Sequence, residues 1–447
     1  MAPVSTQAVR QQVRSWGRLP SGDCDVAHLD TSLVPAEIRS AGPRGSLGRG
    51  AGRSYGDAAL NGGGELLQLG EGCSLDLPNG RVTALAGTTF ETLLRACLPH
   101  GWTLPVLPGT RYLTLGGAVA ADVHGKNHVA DGSLGSWVEQ VQLVDGNGQD
   151  RRLVPDQPEF WATLGGMGLT GVITSATVRL VPVTSSAMTV HQCRQPDLDA
   201  VLAALDEGAL RSRWAVAWVD GLASGSAFGR GVLSTASSTP AEEAGPDPLG
   251  YAPGAAVPAP PVPTSLVTRA SARAFNELWW RRAARPRTDT VPLTAFFHPL
   301  DGLRGWNRCY GPRGFLQYQF VVPDSGVQVV GQALAGIAAG GGAPFLGVLK
   351  RFGEANPGPL SFPRPGWSLA VDLPHTAGLA RVLDGLDELV ALAGGAVYLA
   401  KDARLRPCYL PTMYPRIGQW RQLRDQMDPQ HRFQSDLDRR LGLSADA

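Results

Sequence analysis

Lysine is nearly missing from this chain. Of 40 basic residues among 447, only Lys126, Lys350 and Lys401 are lysines. Arginine is thus the default surface cation. Each lysine is a position where a compact, tunable ammonium stands in for a guanidinium that never gives up its proton. A surplus of charge is missing too: 40 basic residues face 39 acidic ones, a formal net charge of +1. Bulk charge therefore favours no nucleic-acid partner, and any anionic ligand must be held by a local cluster. The six cysteines (Cys24, Cys73, Cys97, Cys193, Cys309, Cys408) are far apart and form no CxxC. That argues against a zinc site or a disulfide framework and for reduced thiols. No apolar run approaches the ~20 residues of a membrane span. Met1 to Arg14 is polar, without the apolar core of a signal peptide.

Glycine, by contrast, is concentrated. Seven glycines lie between Gly48 and Gly64, interleaved with Arg49, Arg53, Ser54, Tyr55 and Asp57. Such a segment buries little, but its backbone can turn sharply and aim several N–H groups at one anion, which suggests a diphosphate cradle. The chain is 43% hydrophobic, and its length exceeds one typical core, so two domains are expected.

Strands are expected at Glu65–Leu69, Arg81–Gly87, Val138–Val144, Val172–Leu180, Trp214–Asp220, Phe315–Val322, Phe345–Lys350 and Trp367–Leu373. The pairs Asp145-Gly146 and Asn147-Gly148 close a hairpin after Val144. Thr88, followed three residues later by Glu91, is expected to cap a helix over Thr89–Pro99. Asp197 should cap a second helix over Leu198–Leu210. A third should run from Thr376 to Ala393, and a basic helical tail should reach Arg440. Residues 236–268 are rich in Pro, Ala, Gly and Ser, as in a mobile surface loop.

Three motifs invite readings that their context opposes. Gly166-Met-Gly-Leu-Thr-Gly171 matches the dinucleotide fingerprint, but a strand follows it where that site needs a helix. Gly52-Arg-Ser-Tyr-Gly56 matches the nucleophile elbow of hydrolases, but the residues before it read as loop where the elbow needs a buried strand. A hydrolase built on Ser54 is the alternative this leaves. His124 and His128 have helical metal-ligand spacing, but Gly125 and Asn127 are poor helix formers and no third ligand is near in sequence. Lys350 and Lys401 read as strand ends, on a strand closing Phe345–Leu349 and on one running from Ala396 to Asp402. Gln317 and Gln319 sit in an apolar strand and need polar partners, which a hydroxyl-rich or phosphate-bearing substrate would supply.

Taken together, Gly50-Ala-Gly-Arg-Ser-Tyr-Gly-Asp57, Pro105-Val-Leu-Pro-Gly-Thr-Arg111, His124-Gly-Lys-Asn-His128, Gly168-Leu-Thr-Gly171, Trp306-Asn-Arg-Cys-Tyr-Gly-Pro312, Gly314-Phe-Leu-Gln-Tyr-Gln-Phe320, Pro359-Leu-Ser-Phe-Pro363 and Ala400-Lys-Asp402 span nearly the whole chain. In that order they resemble the vanillyl-alcohol-oxidase type of FAD-binding flavoproteins. Within that type the likeness is to the branch that oxidises decaprenylphosphoryl-β-D-ribose in actinobacterial cell-wall arabinan synthesis. The resemblance implies an α+β, two-domain fold. Residues 1–187 and a returning segment 396–447 would form the FAD-binding domain, and 188–395 an antiparallel-sheet substrate domain. The loop 236–268 would cover a long lipid tail.

It also implies non-covalent FAD. The diphosphate would rest on Gly50, Ala51, Gly52, Arg53, Ser54, Tyr55, Gly56 and Asp57. The isoalloxazine would be lined by Gly109, Thr110, Thr114, Leu115, Gly116, Gly117, Ala121, Asp122, Val123, His124, Gly125, Ile173 and Tyr398. By the same resemblance Lys401 is the catalytic base beside the flavin. Lys126, Gln317, Gln319, Lys350 and Asp372 would contact the sugar phosphate, Trp218 would wall the pocket and His298 would border it. The ribose 2′-hydroxyl would become a ketone as hydride passes to the flavin. An NADH-dependent keto-reductase partner would then complete epimerisation. The missing export signal argues for the cytoplasm, while a lipid-linked substrate requires at least peripheral contact with the inner membrane, with the periplasmic face left open. Oxidation of a free alditol or sugar lactone is the alternative chemistry, and a flavin-binding scaffold without turnover the non-enzymatic one. No metal is expected. Two positions depart from close relatives: Ala370 stands where they carry cysteine, so that thiol is dispensable to the chemistry, and Phe297 stands where tyrosine is frequent.

Overall fold

The chain forms three main sheets, and apolar alternation is clearest in the strands Val172–Arg179 and Trp214–Val219 of the second and third. The structure, a computed structural model, describes residues 8–445; the start of the polar N-terminal stretch, residues 1–7, and the last two residues lie outside it. The first sheet has the strand order Val9–Arg14, Pro20–Leu29, Glu65–Leu69, Ser46–Gly48. Its first pair is antiparallel and the other two are parallel. The second is antiparallel throughout, ordered Cys73–Asp76, Arg81–Leu85, Val172–Arg179, Val138–Val144, Asp150–Leu153. Its last pair is the hairpin expected around Asp145-Gly146.

The third sheet has eight antiparallel strands. Their order is Arg287–Pro292, Ala187–Gln195, Gly231–Ser238, Trp214–Val219, Gly347–Phe352, Gly366–Pro374, Phe315–Val322, Ala396–Val397. One face is covered by the helices Leu198–Arg211, Gln328–Ala339 and Leu379–Leu392. Val201, Leu205, Val330, Leu334, Leu383 and Val390 pack there with Leu349, Leu369, Val371 and Phe320. With one face sealed by apolar packing, the opposite face is free to carry polar side chains.

The C-terminal tail forms helices Ile417–Met427 and Asp436–Leu441 and packs against the N-terminal region. Trp420 Nε1 donates to the Ala162 carbonyl at 3.0 Å, and Ser46 bridges to Phe433 in parallel. All six cysteines are unpaired. Among the described residues no helix is long and apolar enough to cross a membrane.

Several local expectations need correction. The helix cap is Thr89, whose side chain accepts from Thr92 N, and the helix spans Phe90–Cys97. The Thr88 hydroxyl instead accepts from Gly72 N and donates to the Gly72 carbonyl, both at 2.9 Å, so its side chain is turned to that loop and not to the helix end. Lys350 lies inside the strand Gly347–Phe352 rather than at an end. Lys401 is on no strand: pairing stops at Val397, and the Lys401 N–H closes a turn on the Tyr398 carbonyl. A buried strand, Ser46–Gly48, does precede the G-x-S-x-G motif. It is followed by loop and then the strand Glu65–Leu69, so the strand-to-helix turn of an elbow is still missing. The region read as loop begins only after Ser238. It is tied down by Val257–Pro258 pairing with Leu303–Arg304 and by the Tyr251 hydroxyl on Glu91 at 2.6 Å.

Candidate functional site

The glycine segment forms an irregular loop between the strand Ser46–Gly48 and Asp57. A Cβ on Gly50 would overlap Thr114 Oγ1, and one on Gly56 would overlap the Asp402 carbonyl, so neither position admits a side chain. None of the N–H groups of Gly50 through Ser54 is bonded to another described residue. A run of free amides on a backbone that turns at Gly52 (φ +62) is a cradle for an anion. The residues present thus fit a diphosphate. The Arg53 guanidinium stands 4.1 Å from the Trp16 ring, with its Nε buried and unpartnered. Asp57 is otherwise engaged: Arg440 binds both its oxygens at 2.7 and 2.8 Å and also reaches Asp402 at 2.8 Å. That carboxylate fastens the tail to the cradle.

The loop Ala121–Gly125 is held from beneath. Asp122, in the left-handed region at φ +40, is fully buried. Its carboxylate accepts from Ser133 Oγ and Gly135 N at 2.9 Å, from Asn356 Nδ2 at 2.6 Å, and from Ser361. Its side chain is therefore spent on joining this loop to residues 356–361. His124 sits among Phe352, Phe362 and Tyr398, and its Nε2 pairs with Gln319 Nε2 at 3.0 Å. Burial, reinforced by Lys350, pushes its pKa well below the usual value, so the ring is neutral and Nε2 accepts. Its Nδ1 is buried without a partner. His128 accepts from the Gly353 N–H at 3.1 Å instead of facing His124 as a co-ligand. The Tyr398 hydroxyl donates to the Ala121 carbonyl at 2.7 Å.

Alternation along the eight-stranded sheet assembles the rest. Gln317 pairs with Asp372, Gln319 and Val348 flank Ala370, Lys350 pairs with Ser368, and Trp218 pairs with Val348. Directly opposite residues share a face, and so do alternate ones. Trp218, Lys350, Asp372, Gln317 and Gln319 therefore stand on one polar face, while Tyr318 points through to Asp387 on the covered side. The glutamines find protein partners: Gln317 donates to Asp372 at 2.6 Å, and Gln319 reaches Ser368 as well as His124.

All three lysines gather here, each half-buried. Lys401 Nζ stands 3.8 Å from the centre of the Tyr55 ring. Lys126 donates to the Phe296 carbonyl and lies 4.0 Å from that ring. Burial brings Lys401 to about 7, with Asp372 opposing and Lys350 assisting. Burial and then Lys350 bring Lys126 to about 7, and burial brings Lys350 to about 8. Burial lifts the Asp372 carboxyl to about 7, against the Gln317 hydrogen bond and Lys401. The arrangement concentrates titratable nitrogens whose protonation is balanced near neutrality. His298 is buried nearby, held to about 3 by burial, Arg111 and Lys126. The Trp218 indole nitrogen is buried and unpartnered.

Not every expected contact residue has a free side chain. Leu115, Val123 and Ile173 are core residues that could offer only backbone or an edge, and Gly116 packs on Ala86. Thr114 caps the helix Leu115–Ala120. Gly109 has open space beside it, and the Thr110 hydroxyl donates to Asp301 at 2.7 Å. Asp301 also accepts from Arg111 N at 2.8 Å, so it fixes the loop carrying Gly109. Sequence reasoning missed Asp301, Asn356, Ser361 and Arg440, because their partners lie hundreds of residues away. For Ser361 alone a signal existed, in the Pro359–Pro363 motif.

Comparison with known proteins adds independent findings. The FAD binding domain family matches residues 44–153. The chain is 38% identical to decaprenylphosphoryl-beta-D-ribose oxidase of Mycolicibacterium smegmatis, over 99% of this chain and 100% of that protein. It is 41% identical to an uncharacterized protein in the mprA 5′ region of Streptomyces coelicolor, over 79% of this chain and all of that one. It is 28% identical to an alditol oxidase of a Streptomyces species, over 45% of this chain and 50% of that protein.

Proposed function

The chain belongs to the decaprenylphosphoryl-β-D-ribose oxidase family of FAD-binding proteins, and from that membership we propose that it oxidises the ribose 2′-hydroxyl of decaprenylphosphoryl-β-D-ribose to the 2′-ketone. The observation that carries the reading is that Lys126 and Lys401 both approach Lys350, with Asp372 facing Lys401, beside the His124 loop. When bound, FAD supplies the two-electron acceptor for the hydride. It would rest on the free amides of residues 50–54 and beside the loops 109–117 and 121–125. We assign it as non-covalent, so it should be released on denaturation.

Lys401 is the base in this reading. At about 7, a large share of its amine is neutral near physiological pH and can take the hydroxyl proton as hydride leaves carbon. Asp372 faces the resulting ammonium. Lys126 and Lys350 offer donors to the sugar and its phosphate. Trp218 offers its unpartnered indole N–H, with Gln317 and Gln319 alongside and His298 at the border. Residues 188–395 would form the substrate domain, with 1–187 and 396–447 holding the cofactor. The ketone would pass to an NADH-dependent reductase for conversion to the arabinose epimer.

Anaerobic titration of the flavin-loaded protein with lipid-linked ribose should bleach its visible absorbance. Bleaching by free alditols and not by lipid-linked ribose would transfer the assignment to alditol oxidation. Full retention of colour with both would leave neither.

A further inference from the structure

The described chain exposes seven large apolar residues, and four of them, Val257, Leu266, Leu278 and Leu303, fall between residues 257 and 303. The same region holds the helix Arg269–Arg282, with Leu278 68% exposed on its outer side. At helical spacing Ala270, Ala274 and Leu278 share that side, flanked by Arg281 and Arg282. From Leu266 to Thr288 there are six arginines and one acid, Glu277, in a chain whose overall charge is close to balanced. Arg281 pairs with Glu277. Arg273, Arg282 and Arg285 are exposed, and their guanidinium groups make no ion pair or hydrogen bond with any described residue.

The inner side of this helix is anchored. Ala272 and Asn276 are buried, and the Phe275 ring lies 4.5 Å from Phe345. Phe345 also borders the cluster of Val267, Trp306, Tyr310 and Phe315 that packs on Tyr55, beneath Lys401. A continuous run of aromatic contacts, Phe275 to Phe345 to that cluster to Tyr55, therefore connects the helix to the proposed site. Trp279 and Trp280 are half-buried at the margin, where amphipathic rings sit well between water and an apolar phase.

We propose that the helix Arg269–Arg282, with the exposed edge at Val257, Leu266 and Leu303, seats on the surface of an anionic lipid bilayer. Uncompensated guanidinium groups match phosphate headgroups in charge and geometry, and the alanine–leucine stripe between them can enter the interfacial layer. A protein partner would need a dense acidic patch to meet the same arginines, and this chain's own near-neutral surface supplies no argument for a second copy. A lipid-linked substrate would bring this face to a bilayer, and in that respect the proposal rests on the function proposed above.

The test is sedimentation of the flavin-loaded full chain with sucrose-loaded vesicles. One set mixes phosphatidylglycerol with phosphatidylcholine, and the other is phosphatidylcholine alone. Binding is expected to the anionic set only and should fall with added salt. The variant Arg273→Gln/Arg282→Gln/Arg285→Gln should lose roughly fivefold in partitioning per arginine removed. Leu278→Ser should weaken binding at high salt, where the apolar contribution remains. Circular dichroism checks that both variants fold. Equal pelleting with both vesicle sets, or an unchanged triple variant, would overturn the proposal. So would a wild-type dimer that ignores vesicles and that the triple variant converts to monomer, since the face would then join two copies. Flavin bleaching is read separately on the same preparations. Vesicle binding without bleaching by lipid-linked ribose sinks the proposed function and spares the surface; bleaching without vesicle binding does the reverse.

Discussion

At the scale of single residues, Lys401 stands apart from the chain's arginines because its proton is removable. Replacement by alanine should leave flavin content unchanged while slowing flavin reduction by substrate about 10²–10⁴-fold, the usual weight of a positioned general base. A single-turnover rate equal to wild type would remove Lys401 from the chemistry. Wild-type reduction should quicken as pH rises through about 7, where the neutral amine forms. The groups facing Lys401 are Asp372, which raises its pKa, and Lys350, which lowers it. Asp372→Asn removes the carboxylate that stabilises the ammonium, so the rising limb of the pH profile should move to lower pH. A slower variant with an unmoved limb would mean that Asp372 does not set this ionisation.

At the scale of elements, the contact most exposed to a single change joins the last helix to the glycine loop. Arg440, on Asp436–Leu441, holds both oxygens of Asp57 and one of Asp402, and the two carboxylates are nearly buried. Arg440→Ala would strand two like charges side by side. Loss of one partner from such a buried pair costs about 3–5 kcal/mol, which Arg440's partial exposure reduces toward the lower figure. Thermal melting should show a lower midpoint, and flavin should dissociate more readily because the 50–57 loop loses its tether. Flavin affinity equal to wild type would mean the loop is held without the tail. Asp122 is the equivalent fastening for the 121–125 loop, and four donors meeting one carboxylate explain why a residue other than glycine is kept at φ +40 there.

At the scale of the whole molecule, much of the architecture was legible. Alternating apolar positions marked most strands, and Asp197 marked the start of its helix, because these signals are carried by neighbours in sequence. The isolation of three lysines was legible as well. Their convergence was not, since Lys126, Lys350 and Lys401 come from a loop, a strand interior and a turn. Nor was it legible that Gln317 and Gln319 are satisfied within the protein: that depends on which strand lies alongside, and register is set by pairing across 50 or more residues.

The sequence alone determined the local backbone possibilities. Seven glycines between Gly48 and Gly64 let that backbone turn sharply, and alternating apolar positions favour strands over helices. The ordered motifs also determined the family. The tertiary structure decided which charges meet: Arg440 with Asp57, Asp301 with the Gly109 loop, Lys401 over Tyr55 near Asp372. It also decided that three lysines sit where burial makes their protons removable. Desolvation and Coulomb interactions depend on distance in space, and a linear sequence carries no record of that distance.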